Sequence, residues 1–155
     1  MEYQRIINVK KTTPSAIIPT RGSAYAAGYD LYAVIDGQIE IQPHQTVKIG
    51  TGICMEIPDG YCGLVYPRSG FATKYGLRPA NCVGVIDSDY RGEIIVALHN
   101  DSTSPQTVIN GDRIAQLVVT EFLTMNFQEV DELNETERGT CGFGSTGKGI
   151  GAQNA

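Results

Sequence analysis

The 155-residue chain has no tryptophan, two histidines and 8% aromatic residues. Its four cysteines, Cys54, Cys62, Cys82 and Cys141, show neither C-x-x-C spacing nor a histidine at zinc-finger distance. A structural zinc site is therefore not expected. Cys54, Cys62 and Cys82 lie in apolar stretches and are expected as small core residues. Cations are also few: 12 Lys and Arg against 17 Asp and Glu leave a net charge of −5. Phosphate-backbone affinity relies on clustered Lys and Arg, so neither a nucleic-acid binder nor a membrane-surface binder is expected. No apolar run nears the length of a membrane span, and no basic segment leads into a long apolar one at the N-terminus. A cytoplasmic location with reduced thiols follows as the expectation. Helical periodicity is nearly absent.

What remains is a chain of short β-prone runs separated by turns. A domain of this length buries enough surface to fold without a disulfide or metal. Strands are expected over residues 5–10, 31–33, 35–41, 46–57 with a break at Gly50-Thr51-Gly52, and 61–66. Further strands are expected over 77–86, 93–99, 106–109, 113–122 and 127–130. One short helix is expected over 69–75, with Ser69 as its cap and Gly76 as its stop. This spacing predicts an all-β sandwich or barrel. The runs 94–98 and 117–119 are continuously apolar, which predicts burial on both faces, against a second sheet or another subunit. The acidic, glycine-rich stretch after residue 130 cannot build a core, so the chain divides into a β domain at 1–130 and an arm at 131–155.

Five clusters carry chemistry. Residues 84–93, Gly84-Val85-Ile86-Asp87-Ser88-Asp89-Tyr90-Arg91-Gly92-Glu93, read as a β-hairpin whose tip holds more functional groups than a turn requires. Such a tip is either a solvated turn or a cleft wall offering backbone edges to a flat ligand, with one carboxylate aimed at a reacting water. Tyr66-Pro67-Arg68-Ser69-Gly70 closes a strand and opens the helix, a capped turn or an anion site. Gln116 is a polar residue in an apolar strand that follows Gly111-Asp112-Arg113. Asp30, after Gly28, is a turn residue or a lone functional carboxylate. In the arm, Arg138 precedes Phe143, Gly144, Ser145 and Thr146. Glycines that free backbone N–H groups, two hydroxyls and two cations, Arg138 and Lys148, suit phosphate, and an aromatic face suits a base. No strand precedes and no helix follows, so this is not a Walker loop.

Five such clusters in this order, spanning nearly the whole chain, resemble the trimeric dUTPases (deoxyuridine triphosphate nucleotidohydrolases). The matching runs are Ala27-Gly28-Tyr29-Asp30-Leu31, Pro67-Arg68-Ser69-Gly70, residues 84–93, Gly111-Asp112-Arg113-Ile114-Ala115-Gln116, and residues 138–147. Cys141 departs from the family, which usually carries glycine there. The resemblance implies a distorted jelly-roll barrel, assembled as a homotrimer with three sites between subunits. It implies hydrolysis of dUTP to dUMP and pyrophosphate with Mg²⁺ on the triphosphate, which keeps uracil out of DNA and supplies dUMP for thymidylate synthesis. Asp87 would be the base that activates water for attack on the α-phosphorus, and Asp30 would reach the metal's outer shell through water. Arg68, Ser69, Gly70 and Gln116 would hold phosphates. Asn81 with the backbone of Gly84, Val85 and Ile86 would read uracil, and Tyr90 would exclude a 2′-hydroxyl. From a neighbouring subunit, Arg138, Phe143, Gly144, Ser145 and Thr146 would close over the nucleotide.

Two alternatives share these residues. A dCTP deaminase shares the fold, and a non-catalytic nucleotide sensor could use the same trimer. A regulatory protein partner is compatible with any of the three.

Overall fold

The computed structural model of the chain describes residues 6–142. Twelve strands and one helix form four sheets among the described residues. The strands are β1 Asn8–Lys11, β2 Thr20–Arg21, β3 Tyr29–Tyr32, β4 Gln38–Ile41, β5 Thr46–Gly50 and β6 Ile53–Glu56. They continue as β7 Tyr61–Tyr66, β8 Leu77–Pro79, β9 Gly84–Ile86, β10 Ile95–Asn100, β11 Gln106–Ile109 and β12 Arg113–Glu121. The helix, α1, spans Ser69–Tyr75. The protein is thus mostly β, as its turn spacing predicts. Five strands, in the order β2-β3-β12-β7-β9, form the largest sheet, and β5-β10-β8 form a second; β1-β6 and β11-β4 are antiparallel pairs.

Alternation along the strands explains the core. Ile41, Ile49, Ile53, Leu77, Leu98, Val108 and Ile114 are fully buried. They come from all four sheets, so each sheet turns one apolar face inward. Asn100 is buried among them without penalty. Its amide donates to the carbonyls of Ile41 and Ser104, at 2.9 and 2.8 Å, and its oxygen accepts from Ser102.

Several expectations are corrected. Residues 84–93 are not a β-hairpin: β9 pairs with β7, whereas β10 pairs with β5 and β8 in another sheet. The intervening loop crosses between sheets, so its two flanks do not pair with each other, although both line one cleft. The run 94–98 alternates in burial, with Ile94 and Val96 buried and Ile95 53% exposed. Leu117 is buried, but Val118 and Val119 are only half-buried. The cysteines are not core residues: Cys54 and Cys62 are half-buried and Cys82 is exposed. In β6, alternation sends Ile53 and Met55 inward and Cys54 to the other face. Residues 35–37 lie outside β4.

The helix has the expected span and stops at Gly76 in a left-handed conformation, φ 65°. Its cap position, however, is Arg68, and no side chain caps it; Ser69 is the first helical residue.

Residues from Thr124 onward form a separate unit by their internal contacts. No strand follows Glu121 among the described residues, so 127–130 is not a strand. A β segment needs a partner edge, and this one pairs with none. Within this unit, the Gly139 N–H donates to the Thr136 carbonyl, and Arg138 Nε to the Cys141 carbonyl, both at 3.0 Å. Cys141 has no positive φ; among the described residues His44 is the one non-glycine that does. The cysteine therefore imposes no backbone strain there.

Candidate functional site

A β-bulge in β12 builds the first half of the site. Gln116 lies opposite Asp30 on β3 and Tyr66 on β7. Regular pairing would set Arg113 opposite Ala33, on the other face from Asp30. The register shift between Arg113 and Ala115 sets it opposite Tyr32 instead. Tyr32 is two residues from Asp30, so Arg113 joins the Asp30 face. Arg68, two residues past Tyr66, continues on that face as the strand gives way to the helix.

Asp30 is therefore neither a turn residue nor alone. It is buried, and Arg68 Nε donates to its Oδ1 at 2.7 Å while Arg113 Nη1 donates to its Oδ2 at 3.2 Å. Arg68 Nη1 also donates to the Arg113 carbonyl at 3.3 Å. One carboxylate thus gathers two guanidinium groups, leaving a net positive spot on an acidic protein. Gln116 is not a free solvent-face residue, because its Nε2 donates to the Pro67 carbonyl at 2.8 Å and ties β12 to the start of the helix. Ser69 and Gly70 are exposed at that start.

The second half is a cleft of about 220 Å³, smaller than the roughly 300–1,000 Å³ typical of drug-sized ligands. Asn81, Gly84, Val85, Ile86, Asp87 and Tyr90 line it, together with Glu93 and Val96. The loop holds its own shape. The Tyr90 N–H donates to the Asp87 carbonyl at 3.2 Å, the Tyr90 hydroxyl to the Glu93 carbonyl at 2.9 Å, and Arg91 to the Ser88 carbonyl at 2.6 Å. The Asp87 carboxylate is exposed and makes no hydrogen bond or ion pair among the described residues. Asp30, Arg68, Ser69, Gly70 and Gln116 do not line this cleft. The structure thus assembles the candidate residues as two groups.

Of the arm residues, Arg138 lies among the described residues, whereas Phe143, Gly144, Ser145 and Thr146 lie outside them. Arg113 and Glu93 lie within the matching runs, but the sequence gives neither a role of its own. Arg113 has a signal in retrospect, as a cation opening the strand that carries Gln116.

Cations gathered on one acid suit phosphates, and a small cleft edged by backbone suits a single flat ring. A β protein with both has the equipment of a nucleotide binder. Comparison with known proteins narrows this class. A family model described as dUTPase matches residues 14–147. The deoxyuridine 5'-triphosphate nucleotidohydrolase of Desulfitobacterium hafniense (strain DSM 10664 / DCB-2) is 51% identical over 131 residues, 84% of this chain and 87% of the relative. That of Corynebacterium glutamicum is 46% identical over 145 residues, 93% and 94% of the two chains. Among solved structures, the Staphylococcus bacteriophage 80alpha dUTPase with dUPNHPP is similar at a TM-score of 0.85 and 28% identity, over 94% of this chain and 100% of that one. The chain belongs to the dUTPase family.

Proposed function

We propose that the chain hydrolyses dUTP to dUMP and pyrophosphate, and that the Asn81–Asp87–Tyr90 cleft is where uracil binds. The observation that carries this reading is the cleft itself: small, edged by backbone, with an uncommitted carboxylate at its rim. Asn81 and the backbone of Gly84, Val85 and Ile86 offer donors and acceptors to a pyrimidine edge. Tyr90 lies where the sugar would follow, so a 2′-hydroxyl would meet its ring.

Arg68, Ser69, Gly70 and Gln116 hold the triphosphate in this reading. Asp87 accepts a proton from water as the water oxygen bonds to the α-phosphorus. The bond from that phosphorus to the bridging oxygen breaks, and pyrophosphate leaves. Among the described residues no group of three His, Cys, Asp or Glu could hold a metal ion. Each Asp30 oxygen already accepts from an arginine but keeps a further lone pair. These donors fit Mg²⁺ carried in by the triphosphate and met by Asp30 through water. When bound, such an ion would neutralise charge on the phosphates.

The two separate groups on one chain support a homotrimer with sites completed between subunits, built on a distorted jelly-roll. So does a second cavity of about 600 Å³, lined by Val9, Ile18, Tyr29, Tyr61, Leu117 and Val119 with Arg21 at its side, since such an apolar surface suits burial by another copy. The division proposed here is a β domain at 1–130 and a closing arm at 131–155. Arg138, Phe143, Gly144, Ser145 and Thr146 would cover the nucleotide from a neighbouring subunit. In a cytoplasmic setting the reaction lowers dUTP and yields dUMP for thymidylate synthesis.

Pyrophosphate release, measured with Mg²⁺ across dUTP and the four common deoxynucleotides, tests the reading. Release from dUTP alone is expected. Ammonia released from dCTP would assign a deaminase, and tight dUTP binding without pyrophosphate would assign a sensor.

A further inference from the structure

The loop that carries Asp87 and Tyr90 is fastened at one residue that the reading above does not use. Glu93 Oε1 accepts the Gly52 N–H at 2.7 Å, a charge-assisted bond from the loop to the turn between β5 and β6. Space for that carboxylate depends on Gly50, where a Cβ would stand 2.5 Å from the same oxygen. The next residue continues the seam. The Ile94 carbonyl accepts from Thr51 N and Thr51 Oγ1, at 3.2 and 2.7 Å, and Ile94 N donates to the Ile53 carbonyl at 2.8 Å.

On its other side Glu93 reaches the cleft. Its carbonyl accepts the Tyr90 hydroxyl at 2.9 Å. Gly92 leaves room for this, because a Cβ there would overlap the Tyr90 ring. Tyr90 is therefore laid against its own backbone and tethered at its tip to the residue whose side chain grips the neighbouring turn.

We infer that Glu93 is a positioning residue for sugar discrimination: its carboxylate sets where the Tyr90 ring stands in the cleft. This rests on the dUTP-hydrolysing reading. The carboxylate acts through Tyr90 and need not touch the nucleotide. Freed from Gly52, the 90–93 segment can shift, and the ring gives up the space it denies to a ribose hydroxyl.

The test compares wild type, Glu93→Ala, Glu93→Gln and Tyr90→Phe by steady-state pyrophosphate release from dUTP and from UTP. Glu93→Ala and Tyr90→Phe are expected to narrow the dUTP:UTP ratio of kcat/KM by about tenfold, the weight of one well-placed hydrogen bond. Glu93→Gln keeps an acceptor oxygen and is expected to restore most of the ratio. A purely structural role would lower turnover of both substrates together and leave the ratio alone. Should Glu93→Ala fail to fold, Glu93→Asp decides, since it keeps the charge but shortens the reach to the Gly52 N–H. A wild-type ratio in folded Glu93→Ala, or in Glu93→Asp in its place, would overturn the inference while leaving the functional reading intact. A wild-type protein that leaves dUTP whole would overturn that reading, and this inference with it, before any variant is made.

Discussion

Replacing Asp30 with asparagine separates its structural duty from any duty toward a metal. In the structure its two oxygens accept from Arg68 at 2.7 Å and from Arg113 at 3.2 Å. Asparagine keeps one acceptor oxygen and turns an NH₂ group toward a guanidinium that can only donate. Hydrogen bonds to charged groups are each worth about 1.5–3 kcal/mol. The Arg68 and Arg113 side chains are 26% and 50% exposed, so water compensates much of the loss, most of all for Arg113. A net cost of about 2 kcal/mol follows for Asp30→Asn, and about 3 kcal/mol for Asp30→Ala, which strands both cations. For a chain of this size about 2 kcal/mol corresponds to a fall of roughly 6–8 °C in the thermal midpoint. Circular dichroism melts in Mg²⁺-free buffer, at matched chain concentration, give the readout. The Asp30→Asn enzyme should also show a raised KM for dUTP, because Arg68 loses its hold. A midpoint within about 1 °C of wild type would refute the account, because it would put the loss inside experimental scatter for a buried charge. A deficit that appears only with Mg²⁺ present would assign Asp30 to the metal alone.

Three further outcomes are expected. Asp87→Asn should bind dUTP with near wild-type affinity yet lose at least about a hundredfold in turnover, because an amide cannot take the proton; single-turnover pyrophosphate assays would show it, and unchanged turnover would remove Asp87 from the role. A chain ending after Glu137 should keep its circular dichroism spectrum and lose most activity; full activity would make the arm a passive terminus. The Arg78 hydrogen bond, at 2.5 Å, holds the Asp101 carboxyl below the usual carboxylate range. A lowered folded-state value stabilises above the ordinary range, and the gain is lost as pH falls through that value. The midpoints of wild type and Asp101→Asn should therefore differ slightly at neutral pH and converge in acid, and a constant difference at every pH would discount the pair.

Local chemistry made much of the molecule legible. The strands at 61–66 and 106–109 and the helix at 69–75 coincide with their apolar runs and turn residues. The run 84–93 stands out in the sequence for its functional groups, but its structure is not legible there. Its flanks have the composition of a hairpin, and only the choice of sheet partners distinguishes a hairpin from a crossover. Ser69 misleads in a similar way, since a serine before a short helix is a common cap, yet the strand end makes Arg68 the cap residue. Ile94–Val96 reads as doubly buried because apolar side chains do not report which of them line a cleft, as Ile95 does.

The ordered residue types are a local property of the chain, and they point to a mostly β protein whose carboxylates, arginines and glycines fall in the order of the dUTPase runs. Which groups meet is a nonlocal property. The bulge before Ala115 turns Arg113 onto the face of Asp30, and the pairing of β9 with β7 keeps the Asp87 cleft apart from the arginines. A single-residue change of register moves a side chain through the sheet, and no count of residues along the chain records it.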